Sequence, residues 1–267
     1  MKNPIGFVFQ GQTQKPETEL PPRQETVPVK STVQVFFQER NQTLTYYNDQ
    51  FDLQRGNLVF VDGKLAGFPG VVREVNRNFK IRVADYQKVI SVADTNVSGK
   101  LYIAGDHFLS FDRTTLPYSK LRAWFLPPVE EEDPYETGND DTAFFLENLR
   151  EMDVTQEIFD RGRRYYLDDN VRYFCVEGGH VRAIVAGTHA YEVEFDFVNG
   201  QIQNLLCDCP CGYSCKHQVA ALLQLKETLF LIDRFYPELY GEYFAAIYKE
   251  DLYRFAIDSR ESGYITL

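Results

Sequence analysis

Cys207-Asp208-Cys209-Pro210-Cys211-Gly212-Tyr213-Ser214-Cys215-Lys216-His217 carries four of the five cysteines of this 267-residue chain and one of its four histidines. Thiolates spaced C-x-C, a short turn and then C-x-H leading into an apolar run supply the sulfur and nitrogen donors that tetrahedral Zn²⁺ takes. Residues two apart on an extended strand point to the same side, about 6.6 Å apart at Cα, so Cys207 and Cys209 lean toward one ion while Asp208 faces away. Pro210 and Gly212 turn the chain. The turn returns Cys215 and His217 at the start of a helix that the pattern puts near Gln218, whose N-terminal dipole favours thiolates. Three thiolates and a neutral imidazole around Zn²⁺ leave one negative charge, which Lys216 offsets. Five donors compete for four places, and the set reads as a closed structural site rather than an open catalytic one.

Two other uses of the thiols fit the sequence less well. A disulfide cluster needs an oxidising compartment, but the N-terminus Met1-Lys2-Asn3-Pro4-Ile5-Gly6 lacks a signal-like apolar stretch and no stretch is long enough to cross a membrane. A reduced, cytoplasmic setting is expected. A redox or nucleophilic role lacks a C-x-x-C beside a strand-helix unit and a partner triad.

The spacing C-x-C-x(n)-C-x-H at Cys207, Cys209, Cys215 and His217 resembles the SWIM zinc finger. Upstream, Phe159-Asp160-Arg161-Gly162-Arg163-Arg164-Tyr165-Tyr166 is similar to that family's opening helix, with 181–187 and 191–197 in the places of its strands. Downstream, Cys215-Lys216-His217-Gln218-Val219-Ala220-Ala221-Leu222-Leu223 fits its CKH-x-x-A run, so the likeness spans roughly residues 155–225. It implies one zinc ion held by Cys207, Cys209, Cys215 and His217. Cys211 departs from the pattern and is read as a spare thiol, with its substitution for Cys209 left open. The resemblance also implies binding to DNA, RNA or protein without catalysis, and one implied setting is the accessory N-terminal region of a bacterial Swi/Snf-like ATPase.

Charge narrows the partners and marks the boundaries. A net charge of −11 argues against a protein that coats nucleic acid non-specifically, since phosphate neutralisation supplies that affinity. Residues 29–127 nevertheless hold thirteen basic against nine acidic residues, 128–141 none against seven, and 142–267 twelve against twenty. The expected order is a disordered tail over 1–28, a β-rich domain over 29–127, an acidic linker over 128–141, a SWIM module over 142–226 and an aromatic helical segment over 227–267. In the β-rich domain, short alternating runs at 33–37, 58–61, 70–72 and 79–83 predict an antiparallel sheet or barrel. Arg55-Gly56-Asn57-Leu58-Val59-Phe60-Val61 with Gly70-Val71-Val72-Arg73-Glu74-Val75 resembles, over few residues, SH3-like barrels.

Past the linker, 144–150 and 155–166 read as helical, the second with Thr155 as N-cap. Strands follow at 171–176, 181–185 and 191–197, with Asn199-Gly200 as a hairpin turn into the strand bearing the cysteines. Beyond the ligand helix, Pro237 is expected to split an aromatic stretch over 227–256 into two helices whose rings pack inward. The ending Ser262-Gly263-Tyr264-Ile265-Thr266-Leu267 reads as a strand. His107, His180 and His189 are isolated, and neither a glycine-rich phosphate loop nor a G-x-S-x-G is present. Arg161, Arg163 and Arg164 beside Tyr165 and Tyr166 form a basic-aromatic cluster suited to weak nucleic-acid contact. The reading is an α+β, zinc-binding, non-enzymatic protein associated with nucleic acid, with a protein-interaction adaptor as the alternative and neither a small-molecule substrate nor a membrane partner.

Overall fold

The computed structural model describes residues 29–126 and 143–267. The tail expected over 1–28 and the acidic linker over 128–141 lie outside the described residues. The chain is a strand-rich α+β protein built on two main sheets.

Val33, Val35 and Phe37 alternate and are fully buried, which sets one face of β1 (Ser31–Phe37) inward. A turn with Asn41 at φ 46° leads to β2 (Gln42–Asn48), paired antiparallel to β1. Asn tolerates that left-handed backbone better than most residues. With β3 (Leu58–Val61), β4 (Gly70–Asn76) and β5 (Val89–Ala93) these make an antiparallel sheet ordered β2-β1-β4-β3-β5. A bridge between Tyr47 and Lys88 joins its two edges, so the sheet curls around Phe37, Leu53, Val59 and Val72. The strand expected over 79–83 does not form. Lys80, Arg82 and Val83 are all exposed there and the chain enters a 3₁₀ turn at Val83–Asp85, because β5 already occupies the place beside β3.

The chain continues through β6 (Val97–Ser98), β7 (Tyr102–Ala104), β8 (His107–Ser110) and α1 (Tyr118–Phe125). Beyond the undescribed stretch come β9 (Phe144–Phe145), α2 (Gln156–Leu167), β10 (Val171–Glu177), β11 (His180–Ala186), β12 (Ala190–Val198) and β13 (Gln201–Cys207). Then follow α3 (Lys216–Phe235), β14 (Tyr243–Tyr248), α4 (Lys249–Leu252), a π-helical turn at Tyr253–Ile257 and β15 (Ile265–Thr266). The second sheet has eight strands ordered β7-β8-β14-β10-β11-β12-β13-β9. β7 and β8 lie within the span read as the N-terminal domain yet are hydrogen-bonded into this sheet through β14.

Both faces of this sheet are covered. Phe174, Val176, Phe244 and Ala246 turn toward α3, where they meet Leu222 and Leu225. Their neighbours Tyr173, Cys175, Ala245 and Ile247 turn the other way, onto Trp124 and Phe255. At about 1.5–3 kcal/mol for each large side chain removed from water, these two layers dominate the stability of the central strands.

The stretch after α3 corrects the expectation of two helices. α3 ends at Phe235 before Pro237, but the second element is the strand β14, seated between β8 and β10. Five consecutive buried residues, Tyr243 to Ile247, mark a strand covered on both faces, which loses the period-two signal. Phe244 and Phe255 are core residues, whereas Phe230, Phe235 and Tyr240 are exposed. The helix expected over 144–150 is instead β9 followed by a 3₁₀ helix at Leu146–Glu151, whose buried Leu146 and Leu149 stand one 3₁₀ turn apart. The C-terminal strand forms as β15, parallel to β6.

Candidate metal centre

β12 and β13 deliver the first donor. Val193 pairs with Cys207 at the end of β13, and the register continues one residue further because Asp208 N–H donates to Glu192 O at 3.1 Å. The Asp208 carboxylate accepts from Glu192 N–H at 2.8 Å, so it closes the strand end on the side away from the thiols, as period two requires. Cys209 follows, 4% exposed. Cys215 is the N-cap of α3, which begins at Lys216, two residues earlier than the start read from sequence, and His217 lies in its first turn. All four side chains converge: one donor atom from each of Cys207, Cys209, Cys215 and His217 lies within 4.8 Å of every other.

These distances fit a small tetrahedral ion. Donors about 2.3 Å (sulfur) and about 2.1 Å (nitrogen) from one centre stand about 3.6–3.8 Å apart in a tetrahedron. His217 Nδ1 is 3.8 Å from both Cys207 Sγ and Cys215 Sγ. Nδ1 is therefore the nitrogen that faces the cluster, and Cys211, exposed on the turn, stands outside it. The remaining nitrogen, Nε2, is buried without a hydrogen-bond partner. Ligand imidazoles usually donate that N–H to a carbonyl or carboxylate; here packing holds the ring instead. Tyr191 stacks on it with centroids 4.5 Å apart and Tyr165 meets it edge-on at 5.5 Å. Gly187 leaves the room, since a Cβ there would come within 3.2 Å of Nε2 and 2.8 Å of the Tyr191 ring.

Sequence reasoning missed the residue that ties the two ligand-bearing elements together. Gln218 Oε1 accepts from Cys215 N–H at 2.7 Å, the Cys215 side chain accepts from the Gln218 backbone N–H, and Gln218 Nε2 donates to Leu205 O in β13 at 3.1 Å. The signal was legible, because a Gln three residues after an N-cap is the capping-box spacing.

Thiol electrostatics show why a cation suits the cluster. The hydrogen bond from Cys207 holds the Cys215 thiol down to about 4 against burial, and the same contact together with burial pushes Cys207 well above its ordinary value. Burial pushes Cys209 up to about 11. A divalent cation would displace the protons that such buried thiols retain without it. Lys216 does not point at the thiols, since its Nζ sits over the Tyr165 ring at 4.3 Å.

α2 packs against the ligand-bearing start of α3. Thr155 caps it as expected, its side chain accepting from Ile158 N–H at 3.3 Å. Gly162 is the contact point, where a Cβ would lie 2.8 Å from Lys216 O. At 100° per residue, Arg161 and Arg163 flank that contact and Arg164 points away from it, so the three fan across the solvent side of the helix. All three are exposed, and none of their side chains has an ion pair or hydrogen bond among the described residues. The other histidines serve structure: His107 Nε2–H donates to Val171 O at 2.8 Å, His180 meets Asp196 at 3.0 Å, and His189 lies against Phe68. No helix of the described residues is long and apolar enough to cross a membrane. Compared with family models, curated proteins and solved structures, the chain matches none.

Proposed function

We propose that the chain is a non-enzymatic zinc module of the SWIM kind that contacts nucleic acid through the solvent face of α2. The observation that carries this reading is the pairing of a Cys₃His cluster, its donors within 4.8 Å of one another, with a helix packed directly on the ligand helix whose arginines have no acidic partner among the described residues. Zinc suits a buried set of three thiols and one imidazole better than the harder divalent ions do. Arg161, Arg163 and Arg164 give a local positive surface, and the acidic regions elsewhere repel phosphate only within a Debye length of about 8–10 Å. The curled five-stranded sheet is read as an SH3-like barrel, on its antiparallel order and its edge-joining bridge. The proposed setting is cytoplasmic, beside a Swi/Snf-like ATPase.

The test is fluorescence anisotropy with single- and double-stranded DNA and RNA at low salt. Binding is expected to be weak, with Kd about 10⁻⁶–10⁻⁴ M, and three phosphate contacts give a slope of log K against log salt near about −2.7 on duplex. Charge reversal by Arg161→Glu, Arg163→Glu and Arg164→Glu together abolishes it. Binding that survives the reversal, or no binding at all, refutes the α2 surface. A second reading, a protein-interaction adaptor, is favoured by an apolar groove beside α3 formed by Phe145, Tyr166, Phe197, Leu223, Leu229 and Phe230, with Phe230 60% exposed.

A further inference from the structure

A second positive site lies far from the metal centre in the chain, where the curled sheet meets the C-terminal turn. A cleft of about 580 Å³ opens there, within the range of small-ligand sites. Arg55, Arg73, Arg254 and Arg260 line it against Asp258 and Glu261, an excess of two positive charges in a chain of net charge −11.

Its arginines divide into two kinds. Arg55 pairs with Glu261 at 3.4 Å and Arg254 reaches Asp251 at 3.0 Å and Glu39 at 3.9 Å, so these two clamp the C-terminal segment to the sheet. Arg73 lies over the Phe36 ring at 5.1 Å, and neither it nor Arg260 has an ion pair or hydrogen bond among the described residues. Arg254 adds a buried Nε with no hydrogen-bond partner. The floor is held by backbone. Gly56, at φ 91°, donates its N–H to Val72 O at 2.8 Å, and a Cβ on it would come within 3.0 Å of the Glu261 side chain.

We propose that this cleft binds a small phosphate-bearing ligand, with Arg73 and Arg260 as its principal contacts. Guanidinium groups recognise phosphate oxygens through paired N–H donors, and here two of them converge on one cleft with their donors unused. Arg73 is held in place by the Phe36 ring, which reduces the ordering cost of binding. A phosphate bridging Arg73, on β4, and Arg260, on the C-terminal turn, would also join the two parts of the chain that the salt bridges clamp. The proposal is independent of the α2 surface.

The full chain is titrated with inorganic phosphate, with adenosine monophosphate and with a short single-stranded oligonucleotide, followed by phosphorus NMR and calorimetry. The Arg73→Gln/Arg260→Gln variant is compared with wild type, with Arg73→Lys/Arg260→Lys, and with an Arg150→Gln control, an exposed arginine outside both basic surfaces. Loss of a charge-assisted contact is expected to weaken phosphate or nucleotide binding at least about tenfold in the glutamine pair, with an intermediate effect in the lysine pair and none in the control. Equal affinity for phosphate and the nucleotide assigns the site to the phosphate group alone, and tighter nucleotide binding assigns it to a phosphate ester; both support the proposal. No saturable response at millimolar ligand, or a response unchanged in the glutamine pair, overturns it. Oligonucleotide binding that needs Arg73 and Arg260 while both small ligands fail to bind overturns it as well, and makes the cleft part of a polymer surface.

Discussion

Replacing Gly162 by alanine sets two physical effects against each other with opposite signs. On an isolated helix the change stabilises by about 1 kcal/mol, because glycine forfeits more backbone entropy than alanine. In this chain the added Cβ would stand 2.5 Å from Val219 Cβ, 2.7 Å from Val219 Cγ1 and 2.8 Å from Lys216 O. Carbon atoms pack at about 3.5–4.0 Å, so α2 and α3 must part by about 1 Å. Rotation of the Val219 side chain cannot relieve it, since Val219 Cβ and a helical carbonyl are both fixed to backbone. Overpacking of this kind costs about 1–3 kcal/mol, and the separation also disturbs Tyr165, which touches His217 and underlies Lys216. The expected net result, the mid-range overpacking cost less the helix gain, is a loss of about 1 kcal/mol, a drop in Tm of about 2–4 °C at fixed free zinc. Zinc affinity measured by chelator competition should fall in parallel. A Gly162→Ala protein that melts at or above wild type would refute the close α2–α3 contact and with it the seating of the basic helix on the metal centre.

Two further outcomes check other parts of the molecule. Cys215→Ser should lower bound metal from one equivalent to less than half by elemental analysis, with loss of much of the about 10–16 kcal/mol that structural zinc contributes in small modules, whereas Cys211→Ser, exposed outside the cluster, should keep both metal and stability; metal loss in Cys211→Ser would make Cys211 a ligand. Burial lowers the His107 pKa from 6.5 to about 4, so the unfolded chain takes up a proton below about pH 6.5 that the folded chain refuses until about pH 4: stability from this group is whole above 6.5 and is lost as pH falls through that window, by about 3 kcal/mol at most. Denaturation of wild type and His107→Gln at about pH 7 and about pH 4.5 should show a smaller acid loss in the variant, and equal losses would sink the assignment.

What was legible in the chain follows from how local each signal is. Cys207, Cys209, Cys215 and His217 fall within a few residues of one another, and the strand and helix periods fix which way they point, so the cluster could be read from spacing alone. β12 was legible because Val193 and Phe195 alternate with less buried neighbours, and β11 because Val181 and Ala183 flank the less buried Arg182 ahead of the short buried run Ala183 to Val185. β14 was not, because Tyr243 to Ile247 are buried on both faces and carry no alternation. Phe79 to Val83 alternates in type but has no partner strand, a tertiary fact that no local pattern contains. The cleft of Arg73 and Arg260 was invisible for the same reason: its two principal contacts are far apart in the chain and meet only once the C-terminal turn reaches the curled sheet.

The second sheet explains why the Cys₃His cluster sits where it does. Its central strands, β14, β10 and β11, are held by apolar layers on both faces and need no further staple. β13 is different. It is next to the edge, paired on its outer side with the two-residue β9 only at its first residues, Gln201 and Ile202, and its far end runs into an exposed turn. Burial is least able to fix such a strand end, and there the chain substitutes directed bonds: Gln218 reaches from α3 to Leu205 O, and three cysteines and a histidine from both elements meet. Without a cation that arrangement is costly, since thiols that share protons in a buried place gain little from one another. With one, the strand end and the helix start become a single unit, and α2, seated on that helix through Gly162, takes its position from it. On the proposed reading, the orientation of Arg161, Arg163 and Arg164 would therefore depend on a metal that none of the three touches.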